Sequence, residues 1–213
     1  DVSTIVSFSE GNARIALALA QEARRGDSVA NLKDSELIKR LFRQNHEDDP
    51  KLLRAARACA LVYSFEGEKL SGAEAELPRI AALAGESVED MHAHVARLMR
   101  RQLVQERSTW RAFLPHALAH RLDKEALQDF LAARVHQHLV QDAPERLLRS
   151  FSRRLACLHD SPKAQALVAR WLGHGGLLEE VEALNNLGIQ ILENVAPVDP
   201  SSVLCAIEKA MNR

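Results

Sequence analysis

Val88, Met91, Val95 and Leu98 recur at intervals of three and four residues behind Ser87, a residue able to cap a helix. That spacing fits one face of an α-helix and no strand, and it restricts the fold more than any other feature of the chain. The same rhythm returns at Leu37, Ile38, Leu41 and Phe42, and at Leu52, Leu53, Ala56, Ala60 and Leu61. Composition agrees: aromatics make up 4% of the 213 residues, while Ala, Leu and Arg, which lose least on entering a helix, dominate. A mainly α fold is predicted.

Breakers divide the helical runs. A first helix runs without interruption from Arg14 and Ile15 to Ala23, with Ser9 or Asn12 to cap it. Asp34 or Ser35 is placed to cap the second. The acidic stretch Glu47-Asp48-Asp49-Pro50 marks a boundary. A third helix is predicted from Lys51 to about Ser64, a short one from about Glu74 to Ala84 stopped by Gly85, and another from Ser87 to Arg101. In that last helix Asp90, His94, Arg97 and Arg101 are read as facing outward. Leu103–Arg107 and Trp110–Leu114, separated by Ser108-Thr109, read as a hairpin, although Ser-Thr is poor chemistry for a tight turn. Three helices followed by a hairpin give the order of a winged helix-turn-helix, and about seventy residues suit that fold.

Beyond Pro115 a long helical run is predicted from about Lys124 to Val140. Asp142-Ala143-Pro144, Ser161-Pro162 and Asp199-Pro200 announce three further helices, because proline fits a first turn that needs no N–H. Gly173, Gly175 and Gly176 stop one helix, and Gly188 is read as interrupting another. Short helices joined by tight turns suggest an α-solenoid-like region without a clean period.

Lys plus Arg number 28 against 29 Asp plus Glu, so the whole chain has no surplus charge to draw it to nucleic acid. Cys59, Cys157 and Cys205 are far apart among apolar neighbours and read as three reduced, packed thiols of a cytoplasmic protein. No apolar run approaches the length of a membrane span, and no membrane partner is expected.

Three segments together resemble the part of STAND-class, AAA-type signal-transducing ATPases that follows the nucleotide-binding core. Ser9-Glu10-Gly11-Asn12-Ala13-Arg14-Ile15-Ala16-Leu17 is similar to the Gly-Asn-x-Arg helix start of the family's helical lid. Leu103–Arg107 with Trp110 and Leu114–Leu122 resembles the wing and exit helix of the following winged helix. Asn194–Pro200 resembles a connection in the superhelical sensor region. The resemblance implies a lid at 1–46, a winged-helix domain at 47–123 and a helical-repeat-like region at 124–213. It implies that Arg14 senses the terminal phosphate of a nucleotide bound by the rest of a longer parent. The chain has no Gly-x-x-x-x-Gly-Lys-Ser/Thr stretch and no strand ending in acidic residues to hold magnesium. ATP and magnesium are therefore expected only in the parent, with the nucleotide core before Asp1 and more of the sensor region after Arg213.

Each candidate site residue has a plainer reading. Arg14 could be a surface arginine, but positive charge at a helix start is unfavourable, which favours a role toward a partner. His94, Arg97, Arg100 and Arg101 suit either a DNA groove or docking on the chain's own nucleotide-binding domain. Asp90 and Glu89 at the entering end of that helix favour docking, so sequence-specific DNA binding is not expected. His116 and His120 have metal-ligand spacing but no third ligand nearby, and are read as partial core residues, so no metal site is assigned. Cys59 is read as a small buried hydrophobe, and Trp110 and Trp171 as anchors whose N–H groups find a carbonyl. Glu10, Glu22, Asp48 and Asp49 belong to helix starts and linkers, so no catalytic residue is assigned.

The reading is a regulatory arm coupling nucleotide state to a helical sensor surface that takes a protein ligand. The alternatives are a DNA-binding winged-helix regulator and a helical interaction scaffold. By itself the chain is not expected to be an enzyme. Calorimetric titration with Mg-ATP is expected to be flat, and micromolar binding or turnover above a buffer blank would overturn that expectation.

Overall fold

The computed structural model of the chain describes residues 2–9, 11, 13–24, 28–30, 32–42 and 49–212, apart from the side chains of Arg14, Glu22, Asp34 and Ser35. The structure is mainly helical with one small sheet. It divides into two compact units, Asp1–Arg54 and Ala55–Arg213.

The first unit contains α1 (Val2–Ser9), α2 (Ala13–Arg24) and α3 (Asp34–Leu41), with α2 packed on both of the others. Phe8, Ile15, Leu19, Val29, Leu37, Ile38 and Phe42 are among its buried residues. Ile15 and Leu19 lie one turn apart on one face of α2, as helical spacing requires. α1 is not expected from the sequence, because Val2, Ile5 and Val6 are too short an apolar pattern to announce a helix. Ser9 ends α1 instead of capping α2, and its hydroxyl donates to the Val6 carbonyl at 3.2 Å. Asn12 lies outside the described residues. In α3 the cap position is Lys33, with no side-chain cap bond, so Asp34 and Ser35 fall inside the helix.

In the second unit, α4 (Pro50–Ala60, in this unit from Ala55 on) leads to β1 (Phe65–Glu66), α5 (Leu77–Ala84), α6 (Val88–Arg100), β2 (Val104–Arg107) and β3 (Trp110–Phe113). The Asp49 carboxylate caps α4 by accepting from the Leu52 N–H at 2.9 Å. Gly85 ends α5 at φ +75, a left-handed turn that lets the Glu86 N–H reach the Ala81 carbonyl at 3.0 Å. The Ser87 hydroxyl caps α6 through the Asp90 N–H. The three strands pair antiparallel in the order β1-β3-β2, with Phe65 opposite Arg111 and Val104 opposite Phe113. β1 was not foreseen, because two residues are too few for an alternating signal.

The hairpin turns tightly despite its Ser-Thr sequence. Ser108 takes φ +54, a conformation that costs a residue with a Cβ about 1 kcal/mol. Arg111 offsets that cost: Nη1 donates to the Ser108 carbonyl at 2.7 Å and Nη2 pairs with Glu106 at 2.8 Å. Gly67 must be small here, since a Cβ would stand 2.6 Å from Arg111 Cγ.

The helices that follow depart further from expectation. The run predicted at 124–140 is instead α7 (His116–Asp129), an extended break at Phe130 and Leu131, α8 (Ala132–His136) and a π-helical turn at Gln137–Gln141. No Pro or Gly marks the break. Burial of Phe130, Val135, Leu139 and Val140 requires the chain to turn there. Next come α9 (Glu145–Leu155), α10 (Pro162–Leu172), α11 (Asn186–Val195) and α12 (Pro200–Met211). Ser161 and Asp199 cap as their prolines suggested, whereas Pro144 itself stands at the cap position of α9. Gly188 does not interrupt a helix. It sits in the first turn of α11, donates to Asn185 Oδ1 at 2.9 Å, and leaves room for Leu184.

α9 fastens the later helices to the sheet. Leu147, Leu148, Phe151 and Leu155 are buried on one side of it. Arg146 donates from Nε and Nη2 to the two carboxylate oxygens of the buried Glu76, and its Nη2 also reaches the Ser64 carbonyl at 2.8 Å. Glu76 in turn accepts from the Glu66 N–H at 2.6 Å. Ser150 Oγ both donates to the Ser64 carbonyl and accepts its N–H. Removing the guanidinium would strand a buried carboxylate. Arg146→Met is expected to cost about 3 kcal/mol in urea unfolding. Glu76→Gln in the same background should recover part of that loss, and equal midpoints for wild type and Arg146→Met would dismiss the pair as a surface contact.

Candidate functional site

Helical geometry decides how the residues singled out on α6 are displayed. His94 is three residues on from Met91 and four short of Leu98, which puts it at the edge of the apolar stripe. It is buried, 8% exposed, together with Met91, Val95 and Leu98. The outward placement read from sequence therefore fails for His94. Arg97 and Arg101 are half-buried and Arg100 is exposed. Glu89 and Asp90, both exposed, occupy the first turn of the helix. The three arginines share the C-terminal end of α6, where positive charge also suits the helix dipole.

Arg14 lies in the first turn of α2, and its side chain is outside the described residues, as are Glu10, Asp48 and the Glu22 side chain. A shallow recess of about 310 Å³ in the first unit is lined by Ser3, Thr4, Ser7, Phe8, Leu32 and Leu37.

A second cluster escaped the sequence reading. α7 places His116, His120 and Asp123 along one side at intervals of four and three, and α9 brings Arg153 and Arg154 to them. Asp123 is fully buried and Arg154 is 2% exposed. Arg154 Nε lies 3.9 Å from Asp123 Oδ2, and His120 Nδ1 lies 3.7 Å from Oδ1. Among the described residues, neither Asp123 oxygen nor Arg154 Nε or Nη2 has a direct hydrogen-bond partner. Burial raises the Asp123 carboxyl to about 8, against the pull of the Arg154 cation, so at neutral pH it is mostly the uncharged acid. The same burial lowers Arg154 below its ordinary value, with Asp123 opposing.

Tyr63, between α4 and β1, closes the outer side of this cluster. Its ring stacks with His116 at 5.5 Å, carries the Arg153 guanidinium 3.8 Å from its centroid, and has Arg154 at 5.6 Å. Burial, then Arg154 and Arg153, lower His116; burial and Lys124 lower His120. His116 is exposed and stacked rather than part of the core, and His120 is half-buried. Among the described residues no group of His, Cys, Asp and Glu could hold a metal ion.

Cys59 is buried and burial pushes its thiol up, but Cys157 and Cys205 are exposed, so only one of the three thiols is packed. Trp171 is buried edge-to-face against Phe151, yet among the described residues its Nε1 meets no acceptor. Trp110 is 41% exposed, and Arg146 stacks on its ring at 4.4 Å. No family model, curated protein or solved structure matches the chain.

The buried acid makes a signed prediction. A carboxyl whose folded pKa lies above its ordinary 3.8 supports folding fully below about pH 4, and that support is lost as pH rises toward about 8. Wild-type stability should therefore carry a downward component on the order of 1 kcal/mol per pH unit across that window. Asp123→Asn keeps the neutral shape and should flatten it. Parallel melting curves for the two proteins against pH would show that Asp123 titrates normally.

Proposed function

We propose that this chain is the regulatory arm that follows the nucleotide-binding core of a STAND-class ATPase, coupling nucleotide state to a helical sensor region. The observation that carries the reading is the order of elements from α4 to β3. Helix, strand, helix, helix and hairpin, with β1 added beside β3, follows the order expected of a winged helix and supports that reading. β1, paired antiparallel with β3, supports that assignment beyond the helix and hairpin order. In this reading Arg14 reports the terminal phosphate held by the parent's own nucleotide-binding domain, and ATP and magnesium belong to that parent. Rigid-body movement of the arm against the core would transmit the state.

The main rival is a DNA-binding regulator using α6. Base reading in this fold comes from the N-terminal part of the recognition helix, which here presents Glu89 and Asp90, while His94 is withdrawn into the core. The arginines at the far end suit docking or a few backbone contacts. Anisotropy against random-sequence duplex at near-physiological salt should show no submicromolar binding. Tight binding that is lost on Arg97→Ala with Arg101→Ala would promote the regulator. The coding sequence upstream of Asp1 should carry a phosphate-binding loop, and its absence would remove the arm reading.

A further inference from the structure

The outer face of α9 carries more positive charge than the fold pairs. Arg146, Arg149 and Arg153 follow one another at three and four residues, so they share one side of the helix over about 10 Å of its length. The opposite side, with Leu147, Leu148, Phe151 and Leu155, is buried. Arg146 is committed to Glu76 and Ser64. Arg149 and Arg153 are exposed, and among the described residues their guanidinium groups make no hydrogen bond or ion pair.

Both ends of the row are held in place. Trp110 supports Arg146 at 4.4 Å, and Tyr63 supports Arg153 at 3.8 Å. A guanidinium stacked on a ring face keeps its in-plane N–H donors for other partners and loses less freedom on binding them. The exposed part of Trp110 adds an apolar contact at one end of the row.

We infer that the face formed by Arg149, Arg153 and Trp110 docks an acidic helical segment of a protein partner, with the two free guanidinium groups as its anchors. Arg149 and Arg153 are separated by about 6 Å along the axis, which matches carboxylates one turn apart on a second helix. Each fork can take a carboxylate in a bidentate contact. A phosphate backbone fits less well: two unpaired arginines give few contacts, the exposed Glu145 opens the same helix, and the chain's formal net charge is −1. The inference refines the protein-ligand surface of the proposed arm, but the arm itself depends on what precedes Asp1, so either can fail alone.

The test uses the whole chain and a fluorescein-labelled, alanine-rich helical peptide of about five turns that carries glutamates one turn apart on one face, followed by anisotropy at physiological salt. Wild type should bind saturably. Arg149→Gln with Arg153→Gln should raise Kd about tenfold or more, with an unchanged circular dichroism spectrum. Lys163→Gln with Arg170→Gln removes the same charge from exposed positions on α10 and should shift Kd by less than about twofold. No saturable binding, or equal losses in the two double variants, would overturn the inference. So would tighter binding of an oligothymidylate of matched charge, which would give the face to a phosphate backbone.

Discussion

The second unit depends on one buried ionic contact, the two-pronged grip of Arg146 on Glu76. Glu76 stands just before α5, accepts from the backbone N–H of Glu66 in the preceding strand, and is sealed from water, so its charge needs a partner close by. Arg146 supplies that partner from α9, about seventy residues later in the chain, and in the same position covers Trp110 and holds the Ser64 carbonyl. Sheet, α5 and α9 therefore share a single polar anchor, and the apolar side of α9 seats itself in a register this anchor fixes.

Short-range chemistry explains what could be read from sequence. The Ser87, Ser161 and Asp199 caps, the Gly85 stop and the apolar stripe of α6 each involve residues within about three turns of one another, so spacing alone reveals them. What escaped depends on distant partners. The break at Phe130 exists because the residues after it must be buried, and β1 exists because β3 offers it an edge. His94 looked polar and outward by type, but the wheel of α6 places it where neighbours close over it.

The candidate site divides in the same way. The arginines at the end of α6 were visible because they are adjacent in sequence. The Asp123, Arg154 and Tyr63 cluster was not, because it joins three elements and its chemistry arises from burial, which single residues do not announce. A buried acid beside a buried arginine, with no direct bond between them, leaves polar groups in the seam between α7 and α9 that apolar residues of similar volume would not.

The order of the strands also determines how the sheet meets other molecules. β2 is an outer strand, and its free side would be a template for pairing if it were long and apolar. It is instead four residues long, with Gln105, Glu106 and Arg107 exposed and left-handed residues, Gln102 and Ser108, just outside its ends. An incoming strand would find few groups to pair with and would have to cover the charges of Glu106 and Arg107. The β2 edge is thereby a poor template for strand addition, although nothing covers its ladder groups from within the sheet.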